Sequence, residues 1–375
     1  MSDPSTSAGA PAADDEQPRP DAPLAERVFS TGVAMMEGLS IYLGDTLGWY
    51  RALADAGALT PAELAERTST RTRYAREWCE QQAAAGYLTV AEDAADGAPD
   101  GSAAERRFGL DAEAVTVFTD PHSTDFLAPY IRLVAATAVQ LPALAEAYRN
   151  GGGVSWELLG DDARSGQADM NRPWFEQELP AALAGVPALH EDLARPGTTI
   201  ADVGCGYGWS TVALARTYPE ATVVGIDIDG PSIERARAHA AAAGVDVTFV
   251  HSAGEDFAGG GYDAAFLFEC LHDMPYPVDV LTAVRAALRP GGRVVVMDEA
   301  AEDTFAAPAD EVQRALYGFS ILCCLPDSLS HPGSVGTGTL IRRDTVARYA
   351  HEAGFTSVAD LPIADFGFWR FYELR

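Results

Sequence analysis

The chain has 375 residues, 47% apolar and 22% charged, which at about 150 residues per domain indicates two packed domains and excludes wholesale disorder. Its 26 basic residues against 55 acidic ones leave a formal charge of −29, so a surface built to hold phosphate backbones or anionic lipid is not expected. No stretch of 18 apolar residues suggests a transmembrane helix, the N-terminus lacks the pattern of an export signal, and five cysteines without a CxxC suit reduced thiols; the expectation is a soluble cytoplasmic protein.

Residues 1–22, rich in Pro, Ala, Ser and Asp, read as a disordered tail. From Leu24 to Ala56 apolar and aromatic residues recur at helical spacing. Leu59 to Val90 reads as a helix-turn-helix. Thr60, Pro61 and Glu63 form a capping box with proline at the first helical position, and a second helix, Thr72 to Ala85, ends at Gly86. Tyr87–Val90, the polar stretch 91–104 and Arg107–Leu110 complete a wing hairpin. A winged helix raises the question of DNA, but residues 61–90 carry four arginines and four glutamates, no basic surplus for phosphate contacts. The expected role of residues 23–120 is packing and dimerisation. Residues 121–195 read as a helical linker that covers a pocket.

From Thr198 strands and helices alternate. Strands are predicted at Thr199–Val203, Val223–Ile228, Val247–His251, Ala264–Phe268 and Arg293–Met297, with helices near 209–218, 231–243, 278–288 and 310–323. After a helix at Arg343–Ala353, strand-like runs at Ser357–Ile363 and Phe368–Leu374 suggest a closing antiparallel hairpin. The fold class for 196–375 is therefore α/β, a doubly wound, Rossmann-like sheet of seven strands.

The string Ile200-Ala-Asp-Val-Gly-Cys-Gly-Tyr-Gly-Trp-Ser210 takes an apolar strand into glycines at 204, 206 and 208 and then into a helix. Such glycines let the backbone turn sharply and approach a ligand at the strand's carboxyl end. A dinucleotide fingerprint requires glycine where Trp209 stands, and Asp202 sits badly beside a pyrophosphate. It suits an ammonium or sulfonium group. Asp227 ends the second strand, 23 residues beyond Gly204, where an acid accepts ribose hydroxyls. A nucleoside with a cationic tail and no pyrophosphate matches S-adenosylmethionine.

In these features the sequence resembles class I S-adenosylmethionine-dependent methyltransferases, more narrowly the actinobacterial small-molecule type with an N-terminal winged helix, related to dimeric O-methyltransferases. The resemblance runs from about residue 25 to the end. It rests on DVGCGYGWST (202–211), GIDIDGPSIERAR (225–237), FECLHDMPYPVDVL (268–281), LRPGGRVVVMDE (288–299), DEVQRALYGFSILCCLP (310–326) and DFGFWRFYEL (365–374).

The resemblance implies that Gly204, Gly206 and Gly208 lie under the methionine moiety of S-adenosylmethionine, with Asp202 near its ammonium. It implies that Asp227 and Ile228 hold ribose and adenine. Ala253 replaces the family's usual adenine-side acid, which leaves that task to Gly254, Glu255 or Asp256, while Phe268 and Glu269 meet the cofactor at the fourth strand. His272 occupies the position of the O-methyltransferase general base. Asp298 and Glu299 end the fifth strand, where they can face the acceptor. Trp174 and Phe175 are candidates to cover the pocket, and Tyr317, Cys324 and His331 fall on segments that wall the acceptor.

The implied reaction is methyl transfer to a small, apolar or aromatic metabolite, with oxygen favoured over nitrogen or carbon and S-adenosylhomocysteine as by-product. Trp49, Tyr50 and Phe319 join the candidate aromatic lining. The histidines show no metal-ligand spacing and no metal is expected. The alternative is a cofactor-sensing transcriptional regulator whose winged helix reads DNA.

Overall fold

The computed structural model describes residues 22–91, 106–257 and 259–375; most of the expected tail and wing tip lie outside them. The first helix, α1 (Leu24–Thr46), leads into α2 (Trp49–Ala56), α3 (Pro61–Arg67) and α4 (Thr72–Ala84). The capping box is present: Thr60 Oγ1 accepts from the Glu63 N–H, and Glu63 Oε2 accepts from the Thr60 N–H at 2.8 Å. Two short strands, β1 (Thr89–Val90) and β2 (Phe108–Gly109), pair antiparallel. Trp49, Tyr50, Leu64, Trp78 and Phe118 fill the core beneath them. Trp49 and Tyr50 are therefore core residues of this helical unit and not lining of a ligand pocket. Their rings pack on Trp78 with centroids 4.8 and 5.1 Å away.

Helices α5 (Ala112–Thr119), α6 (Ala128–Val139), α7 (Leu141–Asn150) and α8 (Trp156–Pro173) follow. A π-helical turn at Trp174–Glu178 leads on to α9 (Leu179–Ala184) and α10 (Pro187–Leu193). No single helix among the described residues is long and apolar enough to cross a bilayer.

The C-terminal half is built on one sheet. Its elements are β3 (Thr199–Val203), α11 (Trp209–Thr217), β4 (Thr222–Asp227), α12 (Gly230–Ala243), β5 (Thr248–His251), β6 (Tyr262–Phe268), α13 (Pro277–Ala287) and β7 (Leu288–Glu299). Then come α14 (Glu311–Phe319), a π-helical turn at Ser320–Cys324, α15 (Leu325–Leu329), α16 (Arg343–Glu352), β8 (Val358–Asp360) and β9 (Trp369–Leu374). The strand order is β5-β4-β3-β6-β7-β9-β8; the first five are parallel, and β9 runs antiparallel between β7 and β8. Side chains such as Val294 and Val296 bury one face of the sheet, and Ile200 and Phe266 the other, so the strands read as continuous apolar runs.

This order places β3 at the switch point, with its first crossover going to β4 on one side and a later one to β6 on the other. Ligands in open α/β sheets bind beyond the carboxyl ends of strands at that point. The chain turns there at Gly204 (φ +79°), where a Cβ would come within 2.7 Å of Cys270 Sγ.

Candidate active site

A cavity of about 470 Å³ opens beyond the carboxyl ends of β3, β4, β6 and β7. Its remaining walls come from α8, the turn Ser320–Cys324 and the segment around His331. On the β3–β4 side, Gly204, Gly206, Asp227, Ile228, Gly254 and Glu255 line it. Asp227 is held by the loop it faces: Oδ2 accepts the Gly206 N–H at 2.7 Å and Oδ1 the Asp229 N–H at 2.8 Å. Burial raises its pKa above the usual carboxylate value. Each oxygen keeps a second lone pair for a ligand hydroxyl.

Phe268, Glu269, His272, Glu299, Cys324 and His331 line the other side. His272 is almost fully buried, and its Nδ1 donates to Asp298 Oδ1 at 2.6 Å. Its Nε2 lies 3.2 Å from Asp273 Oδ1. Burial pushes the imidazole pKa down, but the charges of Asp273 and Asp298 outweigh that and hold it well above its usual value. Glu269 adopts φ +51°, a strained conformation for a residue with a side chain, where the chain turns away from β6. Burial raises Glu269 to about 7, and burial together with the Glu269 charge raises Glu299 well above its usual value.

Six residues expected in the site stand off the cavity wall. Asp202 is fully buried beneath α11, where its Oδ2 accepts from Ser210 Oγ at 2.7 Å and Thr211 Oγ1 at 2.6 Å. Its task is to tie the loop to the helix. Gly208 begins α11 at φ +76°, and a Cβ there would meet Phe249 and Ala236; it serves close packing. Asp256 is exposed to solvent. Asp298 sits behind His272 and reaches the cavity only through it. Trp174 turns onto Phe366 and Trp369, with centroids 5.4 and 5.5 Å away, because the apolar face of the sheet takes it up. Tyr317 lies in a separate hollow, where it accepts from Arg342 at 3.3 Å.

Sequence reasoning passed over Trp156, Arg164, Gln167, Asn171 and Asp327, all on the wall. Gln167 and Asn171 are four apart on α8, a helical-face signal visible in the sequence once α8 is placed beside the sheet. Arg164 is paired with Asp229, Nε to Oδ2 and Nη2 to Oδ1, both 2.9 Å, and its Nη1 donates to Asp161 Oδ1 at 3.3 Å. It is the one arginine among the described lining residues, against eight carboxyl side chains. The cavity is therefore suited to a cationic nucleoside, as S-adenosylmethionine is.

His272, Asp273 and Cys324 bring three ligand-type atoms within 4.8 Å of one another, a cluster hidden by their sequence spacing. Contact with Cys323 and burial push the Cys324 thiol well above its usual value.

Residues 200–292 match the family model described as a methyltransferase domain. Among curated proteins, 24-methylenesterol C-methyltransferase 2 of Oryza sativa is 31% identical over 175 residues, 46% of this chain and 45% of that protein. A ubiquinone biosynthesis O-methyltransferase of Vibrio parahaemolyticus is 37% identical over 101 residues, 26% of this chain and 42% of that protein. The chain thus spans less than half the length of these relatives. Among solved structures, human N-acetylserotonin methyltransferase in complex with S-adenosylmethionine superposes with a TM-score of 0.67 at 16% identity, covering 95% of this chain and 99% of that one.

Proposed function

From a class I methyltransferase fold that carries a matching methyltransferase domain, we propose that this chain is an enzyme moving a methyl group from S-adenosylmethionine to a small acceptor. The observation that carries the reading is one cavity in which the Gly204–Gly206 loop and Asp227 face the buried His272–Asp298 pair. Gly204, Gly206, Asp227, Ile228, Gly254, Glu255, Phe268 and Glu269 are the residues assigned to the cofactor. When bound, it supplies an electrophilic methyl on a positively charged sulfur.

The chain's own contribution is placement and proton handling. Holding donor and acceptor collinear in a closed cavity lowers the barrier by up to ~7–11 kcal/mol in favourable cases. His272 is assigned as the group that takes the acceptor's proton through Nε2, a role worth about 10²–10⁴-fold. A proton on Nε2 in the ligand-free chain has to leave first, and positive charge arriving in the cavity favours that. Oxygen is the assigned acceptor atom, because a hydroxyl needs the proton removal that a buried His–Asp pair provides. Phe175, Phe268 and Phe319 make an apolar wall suited to an aromatic metabolite, in line with secondary metabolism.

The helical unit is assigned to self-association. Helix α1 leaves Val28, Phe29, Met35, Met36, Leu39 and Leu43 exposed along its length, an apolar face that a second copy would cover. Nucleic acid fits poorly: Arg73 and Arg76 on α4 are paired with Glu77 and Glu80. We place the protein in the cytoplasm, apart from membranes. The reading is tested by incubating the protein with methyl-labelled S-adenosylmethionine and a panel of phenols. Label in an extractable product with release of S-adenosylhomocysteine supports it; cofactor consumption without a methylated product refutes it.

A further inference from the structure

The part of the cavity across from the glycine loop is rich in hydrogen-bond acceptors that lack partners. Glu269 follows the end of β6 and Glu299 ends the adjacent parallel strand β7, and both line the cavity. Asn171 Nδ2 donates to Glu269 Oε2 from α8. Glu299 is 3% exposed, lines the cavity, and its Oε2 has no partner. Asn171, 7% exposed, likewise leaves its Oδ1 unpartnered. An unpaired buried oxygen is costly, so a ligand that supplies donors gains what the empty cavity lacks.

The charges of the wall narrow that ligand. The only cationic side chains among the described lining residues are Arg164, already committed to Asp229 and Asp161, and the histidines His272 and His331, with Trp209 Nε1 and Thr339 Oγ1 as open neutral donors. A neutral hydroxyl brings one donor for two open oxygens and no charge to offset the acidic wall. An ammonium brings up to three donors, and its charge favours ionisation of both carboxyls. The apolar remainder of the wall, Trp156, Phe175 and Phe319, suits an aromatic body. Resting on the methyltransferase reading above, the geometry points to an acceptor that is itself a cation: a hydroxylated arylalkylamine whose protonated nitrogen sits on Glu299 and Asn171 while its hydroxyl faces His272.

The test is calorimetry on the full chain loaded with S-adenosylhomocysteine, titrated with three probes sharing one ring: tyramine, tyrosol and 4-hydroxyphenylacetate. Tyramine should bind at least about tenfold more tightly than tyrosol, with 4-hydroxyphenylacetate weakest, as a charge-assisted contact requires. Glu299→Gln should erase the preference for tyramine over tyrosol; loading with S-adenosylhomocysteine, measured first, reports that the variant is folded. Equal binding of amine and alcohol, preference for the acid, no binding of any probe, or a preference that survives Glu299→Gln would each overturn the assignment. Failure of S-adenosylhomocysteine itself to bind would instead bring down the methyltransferase reading and this inference together.

Discussion

Asp298 grips His272 at two points: Oδ1 accepts the Nδ1 proton at 2.6 Å, and Oδ2 accepts the backbone N–H at 3.2 Å. One carboxylate at the end of β7 thereby fixes both the ring and the loop that carries it, and leaves Nε2 toward Asp273 and the cavity. His272→Ala should lower kcat by about 10²–10⁴-fold with S-adenosylhomocysteine binding retained. Steady-state kinetics beside calorimetry checks this; near-normal turnover would remove His272 from the chemistry.

Asp298 acts through His272 and is a positioning residue. In Asp298→Asn the negative charge that helps hold the imidazole pKa up is gone. The acid limb of the kcat/KM profile should therefore move to lower pH while the maximum falls by about 10²-fold. A maximum that falls with no movement of the limb would mean that Asp298 only braces the loop.

Gly204 fixes the bend after β3, at the edge of the cavity. Gly204→Ala places a methyl within 2.7 Å of Cys270 Sγ at φ +79°. A loss of about 1–3 kcal/mol in stability is expected, together with weaker S-adenosylhomocysteine binding. Thermal melting and calorimetry on the same sample measure both.

Stability should fall as pH rises from the carboxylate range toward neutrality. Burial raises Asp327 from 3.8 to about 7 and Glu269 from 4.5 to about 7, so the folded chain holds protons that the unfolded chain releases. The stabilisation is present in full below the unfolded pKa values and is lost as pH climbs through about 7. Asp327→Asn removes one of these protons, and its plot of Tm against pH between about 4 and 7 should be shallower than that of the parent chain.

The apolar face of α1 makes the oligomeric state testable. Phe29→Glu with Met36→Glu charges two residues that are 75% and 63% exposed. Light scattering should show the parent as a dimer and the variant as a monomer, with the core under Trp49 and Trp78 intact. A monomeric parent would contradict the assignment.

Much of the sheet was legible because parallel strands buried on both faces read as apolar runs between helical segments, as Ile200–Val203 and Val294–Met297 do. The capping box at Thr60 was legible because it is a local rule. The pocket was less so. Asp202 and Asp298 lie where their spacing suggests, yet Ser210, Thr211 and His272 take up their carboxylates and keep them off the wall. Trp174 and Tyr317 went elsewhere because an apolar sheet face and Arg342 compete for them. The Glu269–Glu299 pair joins strand ends 30 positions apart, and Asn171 reaches it from a helix nearly 100 residues upstream. No short-range pattern encodes such a meeting.

The most direct measurement is calorimetric titration of the purified chain with S-adenosylhomocysteine, beside the variant Asp227→Ala. We expect one molecule bound per chain and a loss of at least about tenfold in affinity when the Asp227 carboxylate, proposed to hold the ribose, is removed. No uptake of S-adenosylhomocysteine or S-adenosylmethionine, or uptake indifferent to Asp227, would show that this cavity serves another ligand.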